Sequence, residues 1–116
     1  GTSYNLFIVK DGVIITAPCE RGLVLVGVTR QALLAICRKK GLAYEERNYT
    51  LKELYDADEV FATSTTKEVM PVRSVDKRMV KLSPGPVTKR LMLEFMILVE
   101  RQTGIKHKRR VLLSKM

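Results

Sequence analysis

The chain is poor in cysteine, histidine and aromatic residues, and each shortage argues against a class of protein. Its 116 residues include two cysteines, one histidine, no tryptophan, four tyrosines and three phenylalanines. Cys19 and Cys37 form no CxxC pair and have no histidine beside them. A metal site is therefore not expected, and both cysteines are predicted to be reduced thiols. His107 lies in a run of cations and is expected to be exposed rather than catalytic.

Long apolar runs are also missing. The longest near the end, from Leu91 to Val99, is interrupted by Glu94 and is far shorter than the roughly 20 residues that cross a bilayer. No charged-then-apolar leader opens the chain, so a secretory signal is not predicted. We expect a cytoplasmic protein that does not enter a membrane.

The net charge of +9 is confined to the last part of the chain. Residues 1–72 carry nine basic and nine acidic side chains, whereas residues 73–116 carry twelve basic and three acidic ones. A basic terminal run can bind polyanions. This run lacks interleaved aromatic residues for base stacking, and no zinc-finger or RNP pattern accompanies it. We interpret residues 105–116 as a solvated basic tail and do not expect nucleic-acid binding.

Short apolar segments alternate with helix signals along the chain. Asp11-Gly12 between Tyr4–Lys10 and Val13–Thr16 is the strongest short signal for a β-hairpin. A connecting loop is predicted over residues 17–24. A helix is then predicted from Arg30 to Lys40, with Thr29 as its N-cap and Gly41 as its stop. The remaining predicted elements are an extended segment over 42–48, a capping box at Thr50–Glu53 that opens a short helix, strands over 60–63 and 69–75, and a helix from Val87 to about Thr103 that ends at Gly104.

The last predicted helix is apolar almost all round. A helix of this kind needs cover on every side, and a chain of this length offers little. We therefore predict that a missing domain or a partner subunit covers it; a fully buried central helix is the alternative.

Two segments could hold an anion. Gly27-Val28-Thr29 precedes the predicted helix, and the N-terminus of a helix offers unpaired N–H groups and partial positive charge to phosphate. Ser64-Thr65-Thr66 forms a polar turn between predicted strands. Each alone is ambiguous, because Gly-x-Thr before a helix is usually an ordinary cap.

Taken together and in order, the segments are more specific. The relevant groups are Gly1-Thr2-Ser3-Tyr4-Asn5-Leu6-Phe7, Leu25-Val26-Gly27-Val28-Thr29-Arg30, Glu46-Arg47 with Leu51 to Leu54, Ala57-Asp58-Glu59-Val60-Phe61 with Thr65, Glu68-Val69 and Pro71-Val72, and Pro84-Gly85-Pro86-Val87-Thr88. This series resembles the motifs of the class IV (fold type IV) pyridoxal-phosphate aminotransferases. The resemblance covers roughly residues 1–100, and the tail beyond Gly104 matches no part of it.

The resemblance implies an α/β (α+β) fold, the C-terminal domain of the fold type IV aminotransferases. In that domain mixed strands form a pseudo-barrel with helices packed outside. Residues 1–104 would be the C-terminal, cofactor-binding portion, and residues 105–116 the basic tail. The fold would be incomplete without the N-terminal domain.

The resemblance also implies roles for particular positions. The implied cofactor-binding residues are Ser3, Leu25, Gly27, Val28, Thr29 and Thr65, and the implied substrate-binding residues are Thr65 and Thr66. Leu25 would pack on the face of the pyridine ring of pyridoxal 5'-phosphate. The amides of Val28 and Thr29 and the Thr29 hydroxyl would hold its phosphate, joined by Thr65. Arg30 would either form an ion pair at the start of the helix, which we favour, or add to the positive field around the phosphate.

The departures from the family pattern concern catalysis. The Schiff-base lysine of the family lies well upstream of the segment that matches Gly1–Phe7, and Lys10 is not in its place. The glutamate that pairs with the pyridine nitrogen would come immediately before Gly1. No catalytic residue is therefore predicted within this chain, and the chain alone is expected to be inactive.

The leading hypothesis is part of an aminotransferase that moves an amino group between a branched-chain or D-amino acid and a 2-oxo acid. The missing N-terminal part of the enzyme would complete the site, and a homodimer is expected. Ser64-Thr65-Thr66 resembles the D-amino-acid enzymes, whereas branched-chain enzymes more often have Gly-Thr-Ala. The alternatives are an aminodeoxychorismate lyase of the same fold, one half of a split enzyme, or a non-catalytic module whose basic tail binds polyanions.

Overall fold

The computed structural model describes residues 4–18, 24–64 and 69–104, and it gives only the backbone of Tyr4, of residues 24–28 and of Thr103. The strands are β1 (Tyr4–Lys10), β2 (Val13–Thr16), β3 (Tyr44–Glu46), β4 (Glu59–Ser64), β5 (Val69–Pro71), β6 (Ser74–Val75) and β7 (Arg78–Met79). The helices are α1 (Val24–Lys40), α2 (Leu51–Asp56) and α3 (Pro86–Thr103). In this part of the chain no helix has both the length and the apolar character that a membrane span requires.

Five of these strands form one mixed sheet in the order β3-β2-β1-β4-β5. The pairs are antiparallel except β2–β3, which is parallel. β1 and β5 therefore begin, and β2, β3 and β4 end, at the same edge of the sheet. We call this edge the α1 edge, because the first turns of α1 contact it. The predicted hairpin is confirmed: Asp11 and Gly12 have φ of 51° and 78°, as a tight turn of this kind requires.

The two faces of the sheet are covered by different elements. On one face α1 and α3 pack against the sheet around two stacked rings, Phe7 and Phe61, whose centroids are 4.8 Å apart. On the other face Ile8, Ile15 and Val60 are buried. Tyr49 just before α2, Leu54 within α2 and Val72 just after β5 pack against this cluster. The chain thus has a mixed sheet with helices outside it, as predicted.

α1 buries one stripe of side chains against the sheet. Arg30, Leu33, Leu34 and Cys37 are each at most 1% exposed, and their spacing places them on one side of a helix. Burial raises the pKa of the Cys37 thiol, so this cysteine is a packed, unreactive group. The stripe is apolar except at Arg30, the position nearest the α1 edge.

Two of the predicted element boundaries are wrong. α1 begins at Val24, more than a turn before the predicted N-cap Thr29. The predicted strand 69–75 is interrupted: β5 ends at Pro71, and β6 pairs with β7 across a turn at Asp76 and Lys77, both of which have positive φ. Neither turn residue is glycine, so the usual sequence signal for such a turn is missing.

α3 confirms the predicted stop, since Gly104 has φ of 73° and forms its C-cap. Leu91, Met92 and Phe95 are buried, whereas Leu93 and Ile97 are half-buried. The alternative of a fully buried central helix is therefore wrong. The outer side of α3 remains partly uncovered in this chain.

α2 begins with the predicted capping box. The Thr50 hydroxyl accepts from the Glu53 amide, and the Glu53 carboxylate accepts from the Thr50 amide. The same carboxylate accepts from the Arg47 guanidinium at 2.7 Å. The hydrogen bonds from Arg47 and from the Thr50 amide lower the pKa of Glu53 from 4.5 to about 2.

We expect the ion pair between Arg47 and Glu53 to stabilise the fold in a defined pH range. Because the pKa of Glu53 is lower in the folded chain, its contribution is fully present above about pH 4.5 and is lost as the pH falls toward 2. An NMR titration of the Glu53 carboxyl carbon should show a midpoint near 2. Arg47→Met should move that midpoint upward; a midpoint near 4.5 in the unchanged protein would contradict the expectation.

Candidate functional site

Described residues in or next to the predicted site segments lie together at the α1 edge. Tyr4 pairs with Ser64 in the β1–β4 ladder, and Thr63 pairs with both Asn5 and Val69. Ser3, Thr65 and Thr66 lie outside the described residues, but Tyr4 adjoins Ser3 and Ser64 adjoins Thr65 in the chain. The β1–β4 pairing therefore brings the entry to β1 and the exit from β4 to the same place.

Thr29 links α1 to this place. Its hydroxyl is buried and donates to the Ser64 carbonyl at 3.2 Å, across 35 positions in sequence. Because Thr29 follows Val28 and Ser64 precedes Thr65, the bond joins the two segments that the sequence suggested as anion-binding. One site that uses both segments is geometrically possible only if they are close together.

The early start of α1 changes which amides are free at its N-terminus. Leu25, Gly27, Val28 and Thr29 all lie within the helix Val24–Lys40. The amides of Val28 and Thr29 then occupy its second turn, where N–H groups bond to carbonyls within the helix. The N–H groups of the first turn are the ones without an intrahelical acceptor. Cofactor contacts through Leu25, Gly27, Val28 and Thr29 remain predictions, as do those of Ser3, Thr65 and Thr66.

Arg30 forms the favoured ion pair. Its side chain is fully buried, and its Nη2 donates to the Glu46 carboxylate at 2.8 Å and to the Ala17 carbonyl at 3.0 Å. Glu46 is the last residue of β3, and Ala17 immediately follows β2. The guanidinium therefore connects α1 to the ends of two strands at the α1 edge.

Several polar atoms buried near this edge lack a hydrogen-bond partner within the described ranges. They are the Thr63 hydroxyl and the Nε and Nη1 atoms of Arg30. Buried donors are usually satisfied, so a group that brings acceptor oxygens would suit this region. Sequence reasoning missed Thr63, although a polar residue within the otherwise buried strand Glu59–Ser64 was a usable signal.

A cavity at the opposite edge is a weaker candidate. It has a volume of about 190 Å³ and is lined by Ile8, Lys10, Lys52, Glu53 and Asp56. None of the predicted cofactor or substrate residues lines it. Lys10 there lies 3.6 Å from Asp58 in an ion pair, which agrees with its exclusion as the Schiff-base lysine.

Comparison with known proteins gives the family. Residues 1–75 match the family model described as Amino-transferase class IV. The D-alanine aminotransferase of Bacillus licheniformis is 49% identical over 90 residues, which are 77% of this chain and 31% of that protein.

Solved structures of branched-chain aminotransferases superpose on this chain. The branched-chain amino acid aminotransferase of Escherichia coli superposes with a TM-score of 0.74 at 42% identity, covering 83% of this chain and 32% of that one. The branched-chain aminotransferase of the thermophilic archaeon Thermoproteus uzoniensis, solved with norvaline, gives 0.76 at 32% identity, covering 96% of this chain and 35% of that one. A further branched-chain amino acid aminotransferase, solved with pyridoxamine 5'-phosphate, gives 0.73 at 36% identity, covering 93% of this chain and 34% of that one. The chain thus spans about a third of the length of these relatives. Because the family model matches well over half of its residues, the chain belongs to the class IV aminotransferases.

Proposed function

We propose that the protein containing this chain transfers an amino group between an amino acid and a 2-oxo acid with pyridoxal 5'-phosphate. Family membership supports the reaction class, and a solved relative is described with pyridoxamine 5'-phosphate. The observation that carries the proposal is the Thr29–Ser64 hydrogen bond at 3.2 Å. It holds the N-terminal half of α1 against the end of β4, where the two phosphate-binding segments are expected to meet.

The α1 edge fits such a cofactor. A phosphate is rich in acceptor oxygens, and this region has a buried hydroxyl on Thr63 that finds no partner among the described residues. The start of α1 adds the partial positive charge of a helix N-terminus. When bound, pyridoxal 5'-phosphate supplies an electron sink for the bond that breaks at the α-carbon of the amino acid.

The residues of this chain would bind and orient rather than transfer protons. Amides in the first turn of α1, which begins at Val24, and the amide of Thr65 would hold the phosphate, and Leu25 would support the pyridine ring. Ser3 would lie near the ring. The backbone of Thr65 and Thr66 would hold the substrate carboxylate. The upstream lysine would supply the Schiff-base and proton-transfer chemistry.

The substrate is proposed to be a D-amino acid or a branched-chain amino acid. The sequence Ser64-Thr65-Thr66 favours the first, and the curated and solved relatives include both kinds of enzyme. An aminodeoxychorismate lyase of the same fold is the alternative within the family. We further propose that the upstream part of the enzyme covers the site, that the enzyme is a homodimer, and that it acts in the cytoplasm.

The proposal is tested by comparing the 116-residue chain with the same chain joined to its complete upstream coding sequence. The longer protein, supplied with pyridoxal 5'-phosphate, should transaminate D-alanine or a branched-chain L-amino acid, and the shorter chain alone should show no turnover. A mixture of the chain with the separate upstream part should regain Schiff-base absorbance if the two parts associate.

Lysine substitutions provide the matched control. Lys10→Ala in the longer protein should leave turnover unchanged, because Lys10 pairs with Asp58 at the opposite edge. Substitution of the upstream lysine should abolish turnover. Turnover by the purified shorter chain would refute the assignment of catalysis to the upstream part.

A further inference from the structure

Arg30 occupies a position where the pattern of α1 calls for an apolar residue. It lies on the stripe formed with Leu33, Leu34 and Cys37, and it is completely buried. A buried guanidinium loses its hydration, and an ion pair does not always compensate for that loss. Its Nε and Nη1 atoms find no acceptor in the described parts of the chain. Stability alone is therefore a weak reason for an arginine at this position.

The contacts that Arg30 does make lie on one side of the α1 edge. Its Nη2 reaches Ala17 after β2 and Glu46 at the end of β3. The preceding residue, Thr29, reaches Ser64 at the end of β4. Two consecutive residues thus fix the second turn of α1 to strand ends on both sides of the sheet centre. The first turn of α1, whose free amides are expected to hold the cofactor phosphate, immediately precedes this turn.

We propose that Arg30 and Glu46 form a positioning pair that holds the phosphate-binding segment Leu25–Thr29 in register with the end of β4. The inference rests on the function proposed above. Arg30 acts through the placement of backbone amides, not by contact with the reacting atoms. Glu46, whose side chain is 43% exposed, anchors the guanidinium from the rim.

The test measures cofactor affinity in the full-length enzyme. Arg30→Met keeps the length of the side chain and continues the apolar stripe of α1, so thermal stability should be retained. Affinity for pyridoxal 5'-phosphate should fall about tenfold, which is about 1.4 kcal/mol. Affinity for pyridoxal, which has no phosphate, should not change. The dissociation constants are measured by absorbance titration of the cofactor-free enzyme.

Two further variants and a control complete the design. Glu46→Gln should weaken pyridoxal 5'-phosphate binding about threefold, and its effect should not add to that of Arg30→Met, as expected for a contacting pair. Arg30→Lys should be intermediate, because an ammonium cannot reproduce the fork of a guanidinium. Arg47→Met is the matched control: Arg47 is next in sequence to Glu46 and pairs with Glu45 and Glu53, so cofactor affinity should be unchanged.

The outcomes separate this inference from the proposed function. Unchanged affinity for pyridoxal 5'-phosphate in Arg30→Met and Glu46→Gln would overturn the positioning role of this pair. Equal losses of affinity for pyridoxal 5'-phosphate and for pyridoxal would also overturn it. If Arg30→Met does not fold, Glu46→Gln decides the matter, because its side chain is partly exposed. An unchanged enzyme that binds no pyridoxal 5'-phosphate would instead contradict the proposed function.

Discussion

Replacing Gly85 with alanine is expected to destabilise the protein by about 3 kcal/mol. Gly85 is the N-cap of α3 and provides no side-chain cap. The buried Glu59 carboxylate caps the helix instead and accepts from the amides of Val87 at 3.2 Å and Thr88 at 2.7 Å. A methyl group on Gly85 would overlap the Cγ and Cδ atoms of Glu59.

The cost follows from counting the donors at the start of α3. Pro86 has no N–H group, and the Lys89 amide bonds to the Gly85 carbonyl at 2.9 Å. Val87 and Thr88 are thus the amides that need an outside acceptor, and Glu59 supplies it to both. Hydrogen bonds to a charged group contribute about 1.5–3 kcal/mol each, so moving the carboxylate away would lose a large part of this sum.

A double-mutant comparison isolates the mechanism. With Glu59→Ala already present, Gly85→Ala should cost only about 1 kcal/mol, because the clash is gone and only the poorer N-cap preference of alanine remains. Gly85→Ser in the same background should recover stability by about 1 kcal/mol, since serine is a good N-cap. Urea unfolding followed by circular dichroism gives these free energies. If Gly85→Ala lowers the free energy of unfolding equally with and without Glu59, the overlap with the Glu59 side chain is not the cause.

Replacing Phe61 with alanine is expected to cost about 3–5 kcal/mol, a large part of the roughly 5–15 kcal/mol that stabilises a typical domain. Phe61 is 0% exposed, lies in the inner strand β4 and stacks on Phe7 with an interplanar angle of 9°. Removing the ring would leave a cavity beneath both α1 and α3, two residues before Thr63 in β4. We therefore expect weaker packing of the α1 edge as well as lower stability.

Matched variants separate cavity formation from loss of a ring. Phe61→Leu should cost less than about 1.5 kcal/mol, because most of the volume is kept. Leu51→Ala, at a side chain that is 58% exposed, should change stability by at most about 0.5 kcal/mol. Urea unfolding measures the free energies of unfolding of Phe61→Ala, Phe61→Leu and Leu51→Ala. A cost below about 1 kcal/mol for Phe61→Ala would contradict a close-packed core around the two rings.

Much of the candidate site can be predicted from the sequence because family motifs are local. Gly27-Val28-Thr29 and Ser64-Thr65-Thr66 are recognisable as a pair in sequence order, and the Thr29–Ser64 bond shows that residues of the two segments are in contact. The sequence could not supply the lengths of the contacts or the true start of α1. A helix start depends on what the preceding residues pack against, and propensity alone predicts it poorly.

The residues that sequence reasoning undervalued are polar groups with remote partners. Glu59 was matched only as part of a motif, yet it caps a helix that begins 27 positions later, at Pro86. The sequence presents Thr63 as an ordinary strand residue, but its hydroxyl is buried without a partner in the described segments. Such roles follow from which segments meet, and single-sequence patterns describe only near neighbours in the chain.

The sequence by itself determined the hairpin at Asp11-Gly12, the capping box at Thr50–Glu53, the end of α3 at Gly104 and the family. Each depends on a few adjacent residues whose backbone preferences and hydrogen bonds are satisfied locally. Only the tertiary structure decided that Arg30 is buried against Glu46 and that Glu59 replaces a side-chain cap at Gly85. These groups are charged, and removing a charge from water is tolerated only where a partner from a distant segment is already in place.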